Sequence, residues 1–163
     1  MLSPLTGTQA ESFPGAGRHF LPALHSNAPT RGAPQQLKQN PSTGITELVL
    51  APERDPLKLL LPMIAHMTEA AGDQWVSFIA PTEVCDAMLE KSQLHQAGVS
   101  LKHLRVIRTE DINDVLWMSW EALNLGNSHT VVAWTGEISD LAVQQLESAA
   151  KMGHSEGLVL RFR

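Results

Sequence analysis

Cysteine is nearly absent from this chain, since Cys85 is the only one among 163 residues. A single cysteine excludes an intrachain disulfide, and such low usage is typical of a reducing compartment, so we expect a cytoplasmic protein. Cys85 is a conceivable nucleophile. A lone cysteine on a helix is more often a small apolar side chain that fills space in the core, and we favour that interpretation.

Long hydrophobic runs are also missing. No segment approaches the roughly 20 apolar residues that a membrane-spanning helix needs. The first residues have neither a basic start nor the continuous apolar stretch of a secretory signal. We therefore expect no association with a membrane.

Motifs for catalysis and for metal binding are lacking as well. The chain contains neither a Gly-x-Ser-x-Gly nor a Gly-x-Gly-x-x-Gly sequence, and its seven histidines show no metal-ligand spacing. Glu110, Asp111 and Asp114 cluster at a predicted helix start, where carboxylates stabilise the helix dipole, so capping is favoured over acid-base chemistry. We predict no metal, no cofactor and no catalytic residue.

Positive charge is scarce in most of the chain, whose net charge is −5. Residues 1–43 hold three basic residues and one acidic residue, a balance of +2, whereas residues 44–163 hold nine basic and sixteen acidic residues, a balance of −7. An acidic domain speaks against nucleic acid as the partner, because a phosphate backbone requires a basic surface.

Two regions differ in composition. Residues 1–43 contain six of the ten prolines and scattered apolar residues without a period, which predicts a flexible N-terminal tail. Residues 44–163 show regular apolar patterning and are predicted to form a single α/β domain.

Within residues 44–163, short apolar runs alternate with helical patterns. The predicted strands are Thr46–Leu50, Trp75–Ala80, Leu104–Arg108, Thr130–Trp134 and Gly157–Phe162. The predicted helices are Leu57–Ala71, Thr82–Gln93, Asp111–Leu125 and Ser139–Lys151, with Thr82 and Ser139 as N-caps and Gly126 and Gly153 as stops. This alternation predicts a mostly parallel five-stranded sheet with helices on both faces.

The last predicted strand differs from the others because apolar and polar residues partly alternate along it. Leu158, Leu160 and Phe162 alternate with Val159 and Arg161. Such alternation is typical of a strand with one exposed face or an edge position. We therefore expect an edge position or an exposed face for this strand, and we place Arg163 after it at the margin of the sheet.

The loop after the first strand is unsuited to bind phosphate. In a nucleotide-binding α/β domain this turn is rich in glycine and ends in Lys-Ser/Thr. Here residues 51–56 read Ala-Pro-Glu-Arg-Asp-Pro, in which two prolines remove amide donors and Glu53 and Asp55 would repel phosphate. The absence of a phosphate loop favours binding to another protein over nucleotide chemistry.

One segment combines apolar and basic residues within the acidic domain. This combination is typical of an interface with an acidic partner, although an ordinary solvated helix and loop remains the alternative. The predicted partner-binding residues are Met88, Leu89, Lys91, Leu94, Val99, Lys102 and His103.

Four stretches of the chain resemble the SulA family of cell-division inhibitors of the bacterial SOS response. They are Gly-Ile-Thr-Glu-Leu-Val-Leu from Gly44, Leu-Lys-Leu-Leu-Leu-Pro-Met-Ile from Leu57, Trp-Val-Ser-Phe-Ile-Ala-Pro from Trp75, and Leu-Asn-Leu-Gly-Asn-Ser-His-Thr-Val-Val-Ala-Trp from Leu123. The similarity covers about Gly44 to Phe162 and keeps the order of all five strands.

The resemblance implies a fold related to RecA and a non-enzymatic inhibitor. It implies binding to FtsZ, the tubulin-like division GTPase, with loss of polymerisation and hence of GTP hydrolysis after DNA damage. It further implies a homodimer and a substrate of the Lon protease. Relative to enterobacterial members, this chain has extra residues between Pro81 and Gly98 and stops at Arg163 without their longer C-terminal tail. Recognition by the protease is then either absent or uses the N-terminal tail.

Two other functions stay open at the level of sequence. One is a RecA-related accessory protein of DNA-damage tolerance that acts through protein partners. The other is an α/β enzyme with a site near Glu137, which follows the predicted strand Thr130–Trp134, where α/β folds bind their ligands. A turn residue ahead of a capped helix is the simpler interpretation of Glu137.

Overall fold

The computed structural model describes residues 44–53 and 55–162. The predicted tail of residues 1–43, Arg54 and Arg163 lie outside the described residues. The strands are β1 (Ile45–Leu50), β2 (Trp75–Pro81), β3 (Leu104–Thr109), β4 (Ser128–Trp134) and β5 (Glu156–Phe162). The helices are α1 (Pro56–Ala70), α2 (Thr82–Met88), α3 (Lys91–Gln96), α4 (Ile112–Leu125) and α5 (Asp140–Gly153).

The five strands form one parallel sheet in the order β1-β5-β4-β2-β3. The connections out to β2 and β3 cross one face, and those back to β4 and β5 cross the other, as right-handed crossovers require. The predicted α/β class with a parallel sheet is confirmed.

The prediction of an edge position or an exposed face for β5 is wrong. β5 lies between β1 and β4 and pairs with both. Leu158 and Leu160 pack into the core on one face of the sheet, and Val159 packs into the core on the other. The strand accommodates the polar Arg161 because this residue lies near its carboxyl end. There the guanidinium of Arg161 forms an ion pair with Glu47 on β1 at 2.6 Å.

Helices cover both faces of the sheet, as predicted. Side chains along a strand point alternately to the two faces of the sheet, so each face has its own core layer. Val76 and Phe78 of β2 pack with α1, α2 and α3 on one face, whereas Ile79 packs with α4 and α5 on the other. All three side chains have no exposed surface. Burial on both faces accounts for the nearly continuous apolar sequence of the central strands.

The predicted helix Thr82–Gln93 is interrupted, which corrects the sequence-based boundaries. α2 ends at Met88, and α3 begins at Lys91 after an extended Glu90. In an unbroken helix, Leu94 would lie about 240° around the axis from Met88. The break allows both side chains to enter the same core.

Thr82 does not act as the predicted N-cap of α2. The cap position belongs to Pro81, which has no side-chain cap hydrogen bond. The hydroxyl of Thr82 instead donates to the carbonyl of Thr109 at 3.2 Å and so ties the start of α2 to the end of β3.

The capping predictions for α4 and α5 are confirmed at three positions and wrong at one. Asp111 and Ser139 cap the two helices, and Gly126 ends α4 with a φ of 69°. The left-handed residue after α5 is His154, whereas Gly153 is the last helical residue. Ile112, the first residue of α4, is 39% exposed.

Candidate partner-binding surface

The segment between α3 and β3 is held against α1 by local hydrogen bonds. The amide of Ser100 donates to the hydroxyl of Thr68 at 3.1 Å, and Thr68 is completely buried on α1. The amide of His103 donates to the carbonyl of Ser100 at 3.0 Å, and the Ser100 hydroxyl lies 3.3 Å from Nδ1 of His103. These bonds fix the turn that carries Leu101 and Lys102.

Three of the seven predicted partner-binding residues lie in the core. Met88, Leu94 and Val99 are 6%, 4% and 5% exposed and belong to the cluster beneath α1, α2 and α3. Their side chains therefore support the surface from below and do not present themselves to a partner. Apolar residues that anchor a turn and apolar residues that bind a partner look alike in sequence.

The other four predicted residues form the accessible part of the segment. Lys91 and Lys102 are exposed, whereas Leu89 and His103 are half-buried. The candidate surface is thus smaller than the sequence indicated. We call the group Leu89, Lys91, Leu101, Lys102 and His103 the basic turn surface.

Leu101 is the apolar member of this surface that sequence reasoning missed. It is 37% exposed and lies in the turn between Ser100 and Lys102. The sequence did contain a signal for its exposure: Leu101 lies in a polar turn and fits neither a helical nor a strand pattern. Exposed apolar residues of this kind supply the contact area at many protein interfaces.

Two arginines on β3 extend the positive charge next to this surface. Arg105 donates from Nε and Nη2 to the hydroxyl of Ser77 at 3.1 and 2.9 Å, and from Nη2 to that of Ser128 at 3.2 Å. Arg108 forms an exposed ion pair with Asp86 at 3.4 Å. Because both hydroxyl partners of Arg105 are neutral, they orient its charge without cancelling it.

Cys85 has the environment of a structural residue. Its side chain is 1% exposed, and Sγ lies 3.6 Å from the carbonyl of Ala80. Burial raises the pKa of the Cys85 thiol; nearby Arg108 opposes this effect and Asp86 adds to it. A thiol that is harder to ionise is a poorer nucleophile, which agrees with the predicted packing role.

The region around Glu137 contains a cleft at the carboxyl ends of β1 and β5. The cleft has a volume of about 530 Å³ and is lined by Val49, Glu137, Ile138, Ser139, Arg161 and Phe162. Two of its polar groups are already engaged: Ser139 accepts from the amide of Ala142, and Arg161 pairs with Glu47 and donates to the carbonyl of Ile138. Glu137 is exposed, and among the described residues no hydrogen bond joins its carboxylate to the hydroxyl of Ser139.

The crevice where α/β proteins bind ligands would lie between β4 and β2, because the chain connections diverge there. Thr135 occupies this position after β4, is 3% exposed, and donates its hydroxyl to the carbonyl of Leu160 at 3.3 Å. On the other side of the sheet, Asp55 of the loop after β1 caps α1 by accepting from the amide of Leu57 at 3.0 Å. These groups serve the fold.

Within the part of the chain that the structure describes, neither a metal-binding cluster nor a membrane-spanning helix is found. No group of three or more His, Cys, Asp and Glu side chains is arranged to hold a metal ion. None of the helices in residues 44–53 and 55–162 combines the length and apolar character needed to cross a bilayer.

Comparison with known proteins places the domain beside one family. The family model described as "Cell division inhibitor SulA" matches residues 44–157. The SulA protein of Pseudomonas aeruginosa is 35% identical over 106 residues, which cover 65% of this chain and 63% of that protein. The SulA protein of Serratia marcescens is 25% identical over 140 residues, which cover 84% of this chain and 79% of that protein.

A solved structure supports the same relationship at the level of the fold. The crystal structure of SulA from Pseudomonas aeruginosa superimposes with a TM-score of 0.64 at 34% identity. The superposition covers 73% of this chain and 98% of the crystallised chain.

Proposed function

The chain belongs to the SulA family of cell division inhibitors, and we propose that it acts after DNA damage by binding FtsZ and preventing its polymerisation. The match of the family model across residues 44–157 carries this proposal. We favour it over the accessory role in damage tolerance because the matching proteins are named as division inhibitors.

The proposed mechanism is steric. FtsZ hydrolyses GTP at a site that adjacent subunits complete, so a protein that covers one assembly face stops polymerisation and hydrolysis together. This inhibitor needs no nucleotide chemistry of its own. The loop of residues 51–56 agrees with such a role, since it contains two prolines and two carboxylates and no glycine.

We propose that the basic turn surface contacts FtsZ. It offers Leu101 as an exposed apolar residue next to the positive charge of Lys102, and it includes the exposed Lys91 at the start of α3. Its backbone is held by the hydrogen bonds of Ser100 and His103. A rigid surface of this kind loses little conformational entropy when it binds.

The first prediction concerns charge reversal in this surface. Lys102→Glu is expected to weaken the inhibition of FtsZ by roughly tenfold or more, because it replaces attraction to an acidic partner with repulsion. The measurement is sedimentation of FtsZ polymer with GTP across a titration of the inhibitor. Lys151→Glu is the matched control, since Lys151 is also exposed but lies on α5, across the sheet.

Two outcomes would count against the proposal at different levels. If the unmodified protein leaves the polymer unchanged at equimolar concentration, FtsZ is not the target. If Lys102→Glu and Lys151→Glu inhibit equally well, FtsZ is bound elsewhere on the molecule.

We also carry forward a homodimer and turnover by the Lon protease as proposals from the family resemblance. Analytical ultracentrifugation of the purified chain tests the first. Degradation by purified Lon, with and without residues 1–43, tests the second and asks whether that region supplies the signal.

A further inference from the structure

Strand β3 forms one edge of the sheet, and half of its backbone groups point away from β2. The amide of Val76 donates to the carbonyl of His103 at 2.7 Å, which sets the alternation of the parallel ladder. The N–H and C=O groups of Leu104, Val106 and Arg108 therefore face outward. Among the described residues, no backbone hydrogen bond outside the ladder satisfies them.

This edge lies in the most basic part of the chain. Residues 91–109 contain four Lys and Arg residues and no Asp or Glu, although the chain as a whole has a net charge of −5. Within residues 44–53 and 55–162, Lys91, Lys102 and Arg105 form no ion pair, and Arg108 is the only one of the four that does. The edge therefore carries positive charge that the described domain leaves largely unbalanced.

The opposite edge of the sheet has a different character. The amide of Gly157 donates to the carbonyl of Gly44, so Ile45, Glu47 and Val49 of β1 present their backbone groups outward. The charged residue of that strand is acidic, and it is already paired with Arg161. Both edge strands thus have outward-facing backbone groups, and the charge of their side chains distinguishes them.

We propose that β3 is a docking site for an extended acidic peptide segment of a partner protein, which adds to the sheet as a sixth strand. The six residues of β3 would pair with about six residues of the peptide, a length of about 20 Å. Outward N–H and C=O groups supply affinity, and the basic side chains select acidic partners. This site goes beyond the inhibition of FtsZ and does not depend on it.

The positions of the two arginines specify the peptide further. Arg105 lies on the face of the sheet that carries α4, where it contacts Ser77 and Ser128, whereas Arg108 points to the other face and contacts Asp86. Successive residues of a strand alternate between faces, so acidic residues three apart in the peptide reach opposite faces. To meet a pair of carboxylates with this spacing, Arg105 turns outward from Ser77 and Ser128, and Arg108 exchanges Asp86 for the peptide.

A peptide fits this edge better than a nucleic acid does. The outward groups of β3 alternate between donors and acceptors, and a peptide strand offers the same alternation in return. A phosphodiester chain offers acceptors alone, which would leave the carbonyls of Leu104, Val106 and Arg108 without partners.

Fluorescence anisotropy with labelled peptides tests the proposal on the full chain. The probe is Thr-Val-Glu-Val-Thr-Glu-Val-Thr. One control peptide has both Glu residues replaced by Lys, a second keeps the sequence but carries N-methyl groups at every internal amide, and an oligothymidylate of equal length tests nucleic acid. We expect binding of the acidic probe alone, with each peptide control weaker by at least about tenfold, because ladder hydrogen bonds or charge pairs are lost.

Two variants of the protein locate the site. Val106→Pro removes an outward amide from β3 without removing a ladder bond to β2, and it should weaken binding of the acidic probe by at least about tenfold. Val49→Pro makes the equivalent change on the β1 edge and should leave binding unchanged. Circular dichroism and thermal unfolding establish that both variants fold.

The proposal is overturned by any of four results: no binding of the acidic probe, equal binding of the lysine peptide, undiminished binding of the N-methylated peptide, or equal binding of oligothymidylate. Equal effects of Val106→Pro and Val49→Pro also contradict it. If Val106→Pro fails to fold, the N-methylated peptide alone decides, because that test uses the unmodified protein.

Discussion

At the scale of single residues, burial determines which side chains can react or bind a partner and which only pack in the core. Cys85 and Met88 lie on the same helix and are 1% and 6% exposed, so neither side chain can act at the surface. Leu101 and Lys102 follow a turn held by Thr68 and are exposed. In this region, the side chains that can contact a partner are therefore those of the turn that follows α3.

A further prediction at the scale of single residues concerns the reactivity of Cys85. Because the thiol is buried and its pKa is raised, we expect its reaction with a disulfide reagent such as DTNB to be slower than that of a free thiol by roughly a hundredfold or more. Denaturant should restore the ordinary rate. Stopped-flow absorbance measures both rates. Rapid labelling of the native protein would show that Cys85 is accessible and would reopen its role as a nucleophile.

The same residue predicts a trend in stability with pH. A thiol whose pKa is raised by folding holds its proton more tightly in the native state than in the unfolded chain. Its contribution to the free energy of unfolding is therefore complete below the ordinary thiol pKa of about 9 and declines as the pH rises above it. Urea unfolding of the wild type and of Cys85→Ala should show their difference shrinking above pH 9.

At the scale of secondary-structure elements, the ends of α4 and α5 approach each other closely at two glycines. A β-carbon on Gly153 would overlap the carbonyl oxygen of Leu123, and one on Gly126 would overlap that of Gly153. Both neighbouring atoms belong to the backbone and cannot rotate away. The two helices approach this closely because glycine occupies both positions.

Because of this contact, we expect a Gly→Ala substitution in α5 to destabilise the protein, although alanine has the higher helix propensity. Gly153→Ala would normally stabilise a helix by up to about 1 kcal/mol. Here we expect the free energy of unfolding to fall by about 1–3 kcal/mol or more, since the added methyl group forces the helices apart. Gly44→Ala is the control, because its β-carbon would meet nothing within 4 Å. Urea denaturation compares the two, and a more stable Gly153→Ala protein would disprove the steric argument.

At the scale of the whole molecule, β5 connects the two parts of the sheet. It is the last strand in sequence, yet it lies between β1 and β4. Among the described strands, β1 pairs with β5 alone. Within the described residues, the sheet is therefore complete only when β5 is in place.

A truncation tests this dependence. A chain that ends at Ser155 should lose cooperative thermal unfolding, because β1 has no partner and both core clusters lose residues of β5. Removal of residues 1–43 is the control and should preserve the transition, as predicted for a flexible tail. Circular dichroism during heating distinguishes these results. A cooperative transition in the shorter chain would mean that β5 is dispensable.

The sequence by itself determined the fold class, the positions of the strands and most of the helix caps. These features depend on local patterns: apolar runs mark strands buried on both faces, and Asp111, Ser139 and Gly126 signal helix ends through their own backbone preferences. The family resemblance could also be read directly, because it rests on the order of these runs. The lack of a phosphate loop after β1 was visible at the same level.

Only the tertiary structure decided which residues of the candidate site reach the surface and where β5 lies. The break at Glu90 between α2 and α3 lets Met88 and Leu94 enter the same core, and Val99, which follows α3, packs into it as well. The central position of β5 depends on pairing with β1, which is more than 100 residues away in sequence. No local pattern encodes such a contact, because its free energy comes from surfaces that meet only after the chain has folded.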